Sequence, residues 1–241
     1  MSLSNPNAQT VQILDVNSDK LLDLAALTRD GKLRLWGGDG SGAVSFLSET
    51  AVNSGSTLSS AADLDGDGRV DLVLGGKASP SVVVLRNRGD GTFEELAANP
   101  LAAFPASTTL ADLNGDGKLD AIAAEYAAGT TSVLLGRGDG TFEPRRPFTT
   151  GGSSRVISVG DINCDGRPDV AVSHLGGSTV TVLLGRGDGT FESSTLSVEA
   201  PGAIGAPAVA LADLDHDGRA DLLMGTDGLA PSVHLAMNTS Q

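Results

Sequence analysis

The chain has 241 residues, a formal charge of −14 and a pI near 4.4, which excludes the basic balance that phosphate backbones need and makes nucleic acid and anionic membrane surfaces unsuitable partners. No apolar run reaches the length of a membrane span, so insertion is excluded for the sequence as it stands. A single cysteine, Cys164, rules out an intrachain disulfide, and 3% aromatics beside 32 glycines suit many tight turns between small-residue strands.

Taken from the amino terminus, the chain first lacks the charged and apolar regions of a secretory signal. The first repeat opens at Asp15-Val-Asn17-Ser-Asp19-Lys20-Leu21-Leu-Asp23 and carries a loose turn, Gly-Gly-Asp-Gly-Ser, at 37–41. The second opens at Asp63-Leu-Asp65-Gly-Asp67-Gly68-Arg69-Val-Asp71, continues through the short apolar run 72–74 and the β-branched run 81–85, and reaches Arg-Gly-Asp-Gly-Thr-Phe at 88–93. The third repeats the loop at Asp112, Asn114, Asp116, Lys118 and Asp120, with its hairpin signal at 137–142. The fourth has Asp161, Asn163, Asp165, Arg167 and Asp169, then 186–191; the fifth has Asp213, Asp215, Asp217, Arg219 and Asp221, and ends before any Gly-Thr-Phe strand. Loop starts lie 48 to 52 residues apart, a period that marks repeat architecture.

The runs after each loop are too short for helices and read as buried strands. A Thr-Phe-Glu strand after the hairpin and one before the next loop, such as 156–159, bring the count to about four per period. The Asp-Gly of each hairpin signal predicts a two-residue turn. Four antiparallel strands per repeat predict an all-β single domain over 1–241, a β-propeller of five blades with one metal loop each. A solenoid fits this strand content less well. Residues 3–10 are expected to supply the outer strand missing from the last blade.

Oxygen side chains at loop positions 1, 3, 5 and 9 converge as the backbone curls, and the carbonyl of position 7 adds a further ligand. The expected set is therefore the Asp and Asn residues named above, with Leu21, Arg69, Lys118, Arg167 and Arg219 contributing through the backbone. An all-oxygen set selects calcium over zinc. Position 12 is apolar in every loop, which excludes a helical calcium hand. Up to five Ca²⁺ are expected, and they would bring the formal charge from −14 to about −4. Loop one is expected to be the weakest, since Lys20 stands where the sharp turn favours glycine. Loops two and five carry four carboxylates against three plus an Asn elsewhere, and should bind most tightly.

Paired Asp-x-Asp-x-Asp-Gly-x-x-Asp and Gly-Asp-Gly-Thr-Phe motifs resemble the FG-GAP/VCBS-type repeat of integrin α-chain propellers and many bacterial surface proteins. The resemblance covers essentially the whole chain. It implies calcium in strand–loop–strand turns at one rim of a propeller. Integrin propellers have seven blades and this chain has five repeats, so it is either a five-bladed ring or a fragment that needs partners.

The remaining features are weaker. Three Arg-Gly-Asp triplets, from Arg88, Arg137 and Arg186, read as hairpin turns rather than cell-adhesion ligands because all occupy one repeat position. Five residues after the closing Asp the repeats diverge to Thr28, Gly76, Glu125, His174 and Thr226, with Arg29, Lys77, Tyr126, Leu175 and Asp227 beside them, a candidate binding surface. Phe93, Phe142 and Phe191 look like repeated core positions, which leaves Trp36 and Tyr126 as the available sugar platforms. His174, His216 and His234 fall in different contexts with no triad partners, and Cys164 has no activating base. The expectation is a monomeric, non-enzymatic adhesion or recognition module, extracellular or cell-surface and bacterial by composition, with a protein or glycan ligand. The alternatives are a carbohydrate-active lyase or hydrolase, or a lectin.

Overall fold

A computed structural model describes residues 8–52, 57–76, 79–176, 179–199, 208–226 and 232–236. Among them every regular element is a strand, and all paired strands are antiparallel. The first sheet runs β1 (Ala8–Leu14), β2 (Asp23–Thr28), β3 (Lys32–Gly38), β4 (Val44–Ala51) in chain order. The second is β5 (Thr57–Ala62), β6 (Asp71–Gly76), β7 (Ser81–Asn87), β8 (Phe93–Glu95), with the short β9 (Asn99–Pro100) also on β7. β10 (Pro105–Ala111), β11 (Asp120–Glu125), β12 (Thr130–Leu134) and β13 (Arg146–Thr149) form the third. The fourth holds β14 (Ser153–Gly160), β15 (Asp169–Leu175), β16 (Thr179–Gly185) and β17 (Phe191–Glu199), and the fifth holds β18 (Ala208–Ala212), β19 (Asp221–Thr226) and β20 (Ser232–Ala236). These are meandering sheets of the kind that make propeller blades.

Two compact units divide the chain. One comprises Met1–Phe104 with Gly136–Glu143, the other Pro105–Leu135 with Pro144–Gln241. In the first unit Ala25, Leu27, Leu33 and Leu35 pack against Leu72, Leu74, Val83 and Leu85 of the second sheet. In the second unit Ile122, Ala124 and Val133 meet Val170, Val172 and Leu183, and Ala171 with Val180 meets Leu222 and Met224. Sheets covered on both faces explain why β6 and β11 are buried at every residue and carry apolar runs rather than alternating ones.

The hairpins after the third strands of sheets two, three and four are closed from Arg N–H to Thr carbonyl, at 3.0 Å for Arg88–Thr92 and 2.9 Å for Arg137–Thr141 and Arg186–Thr190. The tip is thus three residues, Gly-Asp-Gly, where the sequence suggested two. Both glycines of each tip have positive φ, a region they enter without the Cβ clash that other residues meet. The tip's Asp is held by the turn itself: Asp90, Asp139 and Asp188 accept from both the amide and the hydroxyl of Thr92, Thr141 and Thr190. Those hydroxyl bonds hold the three carboxyls below the usual Asp range. The second Gly is also a packing site. A Cβ on Gly189 would lie 2.6 Å from Leu135 Cδ2, and one on Gly140 3.1 Å from Leu96 Cδ1. The Arg-Gly-Asp triplets are therefore turn chemistry. Phe142 and Phe191 are buried and Phe93 packs on the first core, the repeated core positions expected of them.

Of the segment 3–10, Ala8 and Thr10 pair with Thr28 and Leu27 in the first sheet, and residues 3–7 lie outside the described residues. Replacing Ile122, fully buried between the third and fourth sheets, by Ala is expected to cost about 2–5 kcal/mol in urea unfolding. A loss within experimental error would contradict this packing.

Candidate metal centre

Every loop of the repeat shares three internal bonds. The position-1 carboxylate accepts the position-6 amide: Lys20, Gly68, Gly117 and Gly166 at 2.8 Å and Gly218 at 3.0 Å. Position 3 accepts from the amide of position 5, and position 5 from that of position 7, in all five. These local side-chain bonds replace a strand ladder and hold the curl. They also force residues 4 and 6 into the left-handed region. Four non-Gly residues sit there: Ser18 (φ 64°), Lys20 (φ 67°), Cys164 (φ 60°) and His216 (φ 62°). The expected strain at Lys20 is present, and position 4 carries it too in loops one, four and five.

Position 9 is different in kind. Asp23, Asp71, Asp120, Asp169 and Asp221 are all buried. Each Oδ2 accepts from the position-2 amide, at 2.8–3.1 Å from Val16, Leu64, Leu113, Ile162 and Leu214. In three loops Oδ1 reaches the end of the third strand, to Gly38 and Asn87 at 2.8 Å and Gly185 at 2.7 Å. Burial pushes Asp71 and Asp169 above the usual carboxylate range, although these amides pull the other way. The closing Asp is thus a strut as well as a candidate ligand.

Position 7 also does more than its expected carbonyl role. Arg69 and Arg167 donate to the carbonyls of Asn87 and Gly185 at 2.9 and 3.1 Å and pair with Asp67 and Asp165. Lys118 and Arg219 lie 3.7 and 3.9 Å from Asp116 and Asp217. Recurrence of Arg or Lys at this position in four loops was the available signal. In loop one Leu21 leaves Asp19 without such a cation beside it, and Asn17 Nδ2 donates to it at 2.9 Å.

Three groups bring carboxylate oxygens within 4.8 Å of one another: Asp15, Asp19 and Asp23; Asp63, Asp65 and Asp71; Asp213, Asp215 and Asp221. Among the described residues, loops three and four form no such acidic triplet; their position 3 is Asn114 or Asn163. The donors are all oxygen, already oriented by amides, and three negative charges at this spacing repel unless a cation joins them. The residues fit a hard divalent ion.

Of the divergent positions, Thr28, Gly76, Glu125 and His174 are buried, Arg29 and Leu175 beside them are exposed and Tyr126 is half-buried; Lys77, Asp227 and the side chain of Thr226 lie outside the described residues. Glu125 is buried at the end of β11, accepting from Ser132 and from Arg145 Nη1 at 3.1 Å. The same place in the fourth sheet holds His174, also buried, with Nε2 2.8 Å from Thr181 Oγ1. That hydroxyl donates to the Thr150 carbonyl at 2.9 Å, so Nε2 carries the proton and Nδ1 is left as a buried lone pair with no partner. Ser132, Thr181 and Arg145, absent from the sequence reading, complete two polar knots inside the sheets. Their β-branched and small residues had read as plain strand. His216 lies in an exposed loop, His234 is half-buried on β20, and Cys164 is exposed.

Two expectations follow from these geometries. Lys20→Gly relieves a left-handed side chain, a gain of roughly 1–2 kcal/mol offset by about 0.5–1 kcal/mol of added chain entropy; a raised melting point is expected, and a lowered one would remove the strain argument. Burial holds His174 below its ordinary value of 6.5. The unfolded chain then binds more protons as pH falls through 6.5, so stability is complete above that pH and declines below it. Wild type should lose more than His174→Gln between pH 7.5 and 5.5 in calcium-containing urea titrations; parallel losses would exclude the effect.

Comparison with known proteins closes the description. The model of the FG-GAP-like repeat matches residues 15–74, 63–123, 112–172 and 165–224. No curated protein matches the chain. Among solved structures, an Agrocybe aegerita lectin studied for specific recognition of non-reducing terminal N-acetylglucosamine is similar at 21% identity and TM-score 0.66, over 97% of this chain and 64% of that one. BBS1N in complex with ARL6DN is similar at 14% identity and TM-score 0.65, over 98% of this chain and 66% of that one. The chain therefore spans about two thirds of the length of these structures. Five antiparallel sheets, their repeated loops and the match across all but the ends place this chain, a β-propeller protein, in the FG-GAP-like repeat family.

Proposed function

We propose that the chain is a recognition module without catalysis of its own, rigidified by calcium and working outside the cell or at its surface. The observation that carries this reading is the carboxylate triplet of loops one, two and five, each set of oxygens drawn within 4.8 Å on a loop tied down by its own amides. Calcium would be held by Asp15, Asn17, Asp19 and Asp23 in loop one and by the corresponding residues of the other four, with position-7 carbonyls completing the shell. When bound, it supplies charge neutralisation at the loop and a rigid link between the two strands that flank it.

The ligand class is a protein or a glycan, as one similar structure is a lectin and another a complex between two proteins. An open groove of about 310 Å³ beside loop one, lined by Asn17, Asp19, Asp39, Ser45 and Leu47, offers mixed polar and apolar contact of the sort small ligands use.

Thermal melting in EGTA and across a calcium titration, with magnesium as control, tests the metal assignment. Binding to the folded state alone contributes about 2.7 kcal/mol per site at a hundredfold excess over Kd. A calcium-specific rise in Tm is expected, reduced in an Asp63→Asn/Asp65→Asn variant. Identical melting in EGTA and calcium overturns the assignment.

A further inference from the structure

The rim where a metal loop meets the hairpin of its own sheet is filled differently in the first two sheets. Strand pairing gives the corresponding positions: Trp36 pairs with Leu24 and Leu85 with Leu72, each partner being the residue after the closing Asp. Gly37 therefore stands where the second sheet has Arg86, and Gly38 where it has Asn87. The hairpin bonds agree, since the Asp39 amide donates to the Ala43 carbonyl as the Arg88 amide does to that of Thr92. Asp39 thus takes the place of Arg88, and Leu21, at loop position 7, that of Arg69.

In the second sheet all three places carry a guanidinium. Arg86 donates to Glu94 at 2.7 Å, and Arg88 lies 3.6 Å from the same carboxylate. The bond to Glu94 raises Arg86 above its ordinary value, and the loop carboxylates Asp65 and Asp71 add to the effect. Arg69 spans from Asp67 to the Asn87 carbonyl and passes Gly89 so closely that a Cβ there would lie 2.7 Å from its Cδ. Gly37, Leu21 and Asp39 supply no cation to the same rim of the first sheet. The groove of about 310 Å³ beside loop one includes Gly37, so the missing side chain is part of its volume. A second hollow of about 380 Å³, lined in part by Leu21, Gly38 and Gly40, lies where Arg69 runs in sheet two. Leu135 and Leu184 hold the place of Gly37 in sheets three and four.

The acceptors in the groove are already oriented. Asp39 Oδ1 takes the amide and hydroxyl of Ser41 and the amide of Ala43, which leaves Oδ2 for a ligand. Asp19 Oδ1 accepts the Leu21 amide, and Oδ2 is met by Asn17 Nδ2 at 2.9 Å. That amide does not fill the place of a cation. In loop four Asn163 makes the same bond to Asp165 Oδ2 at 2.8 Å while Arg167 pairs with that oxygen as well.

We propose that the groove beside loop one is a docking site for an arginine side chain of a partner protein, its guanidinium pairing with Asp19 and Asp39 beside Gly37. This rests on the reading of the chain as a recognition module and names the chemistry of its ligand. The second sheet supplies the precedent, a guanidinium held at the corresponding place by loop and hairpin carboxylates. A planar, weakly hydrated guanidinium forks between two acceptors while its stem lies along Val44 and Leu47, and a compact, strongly hydrated ammonium matches that wall less well. The formal charge of −14 favours a cationic ligand. An open groove covers one side chain of a larger surface better than it encloses a free small molecule.

Amide NMR on the isotope-labelled chain at saturating calcium tests this, with N-acetyl-Gly-Arg-Gly amide as the probe. Saturable shifts at Asp19, Gly38, Asp39 and Ser45 are expected, and none with citrulline in place of the arginine, which keeps the shape and loses the charge. Asp39→Asn should weaken binding about two- to fivefold, the contribution of one exposed ion pair. Leu21→Arg, which gives loop one the guanidinium that Arg69 gives loop two, should lose the response without a lower melting point. Equal shifts from both tripeptides, no shifts in the groove, or an undiminished response in Leu21→Arg overturns the proposal. A response to free L-arginine without one to the tripeptide makes the ligand a small molecule and overturns it equally. Calcium-dependent melting is read without peptide, so failure here with that shift intact removes the groove and leaves the recognition module standing.

Discussion

The buried carboxylate that closes each loop is the constraint on which the blades depend. An Asp removed from water must have its oxygens met by donors. Here one oxygen is met by the start of the loop and, in three sheets, the other by the end of the third strand. The first bond closes the loop and the second forms only once the hairpin is also in place, so the side chain couples local turn formation to sheet assembly. The approach is close: a Cβ on Gly38 or Gly185 would lie 2.1 Å from the carbonyl of Leu22 or Pro168. Burial raises two of these carboxyls, and a cation bound in the adjoining loop would offset that cost by favouring the ionised form.

Around that strut the loops are built to a single plan and varied only where the plan tolerates it. Ser18, Lys20, Cys164 and His216 occupy left-handed positions; Lys20 keeps the amide bond to position 1 that its glycine counterparts make, whereas at position 4 it is Gly66 and Gly115 that donate to position 1, at 2.8 Å. At Lys20 the wiring overrides the steric preference of the residue. Strain is thus concentrated in loops one, four and five, while loop two combines glycine at both left-handed positions with a carboxylate triplet.

Five places after the closing Asp, the divergence of the third and fourth repeats goes inward. Glu125 with Ser132 and His174 with Thr181 occupy equivalent places in neighbouring sheets, and the two pairs are held by different chemistry. A charged pair completed by Arg145 in one sheet becomes a neutral imidazole in the next. Such knots specify which sheet stands where among near-identical apolar faces, a role for which polar groups are suited because a mismatch leaves one unpaired.

Much of this was legible in the sequence because it is local. Strand runs such as 72–74 and 170–172, the five loops and the glycine preference at position 6 all follow from spacing within about ten residues, where backbone geometry leaves few options. The oxygen donor set was legible for the same reason. Other features depend on residues brought from far along the chain. The guanidinium contacts of Arg69 and Arg167, beyond the backbone-ligand role expected of them, needed the third strand within reach. Glu125 and His174 looked exposed because a varied turn residue usually is, yet the sheets bury both. The hairpin tips grew from two residues to three because Thr92, Thr141 and Thr190 close them across the ladder. By itself the sequence determined the repeat, the strands and the acidic loops, each a property of short-range sterics and hydrogen bonding. Only tertiary structure decided which faces are covered, because burial is set by the neighbouring sheet and not by the strand that carries the side chain.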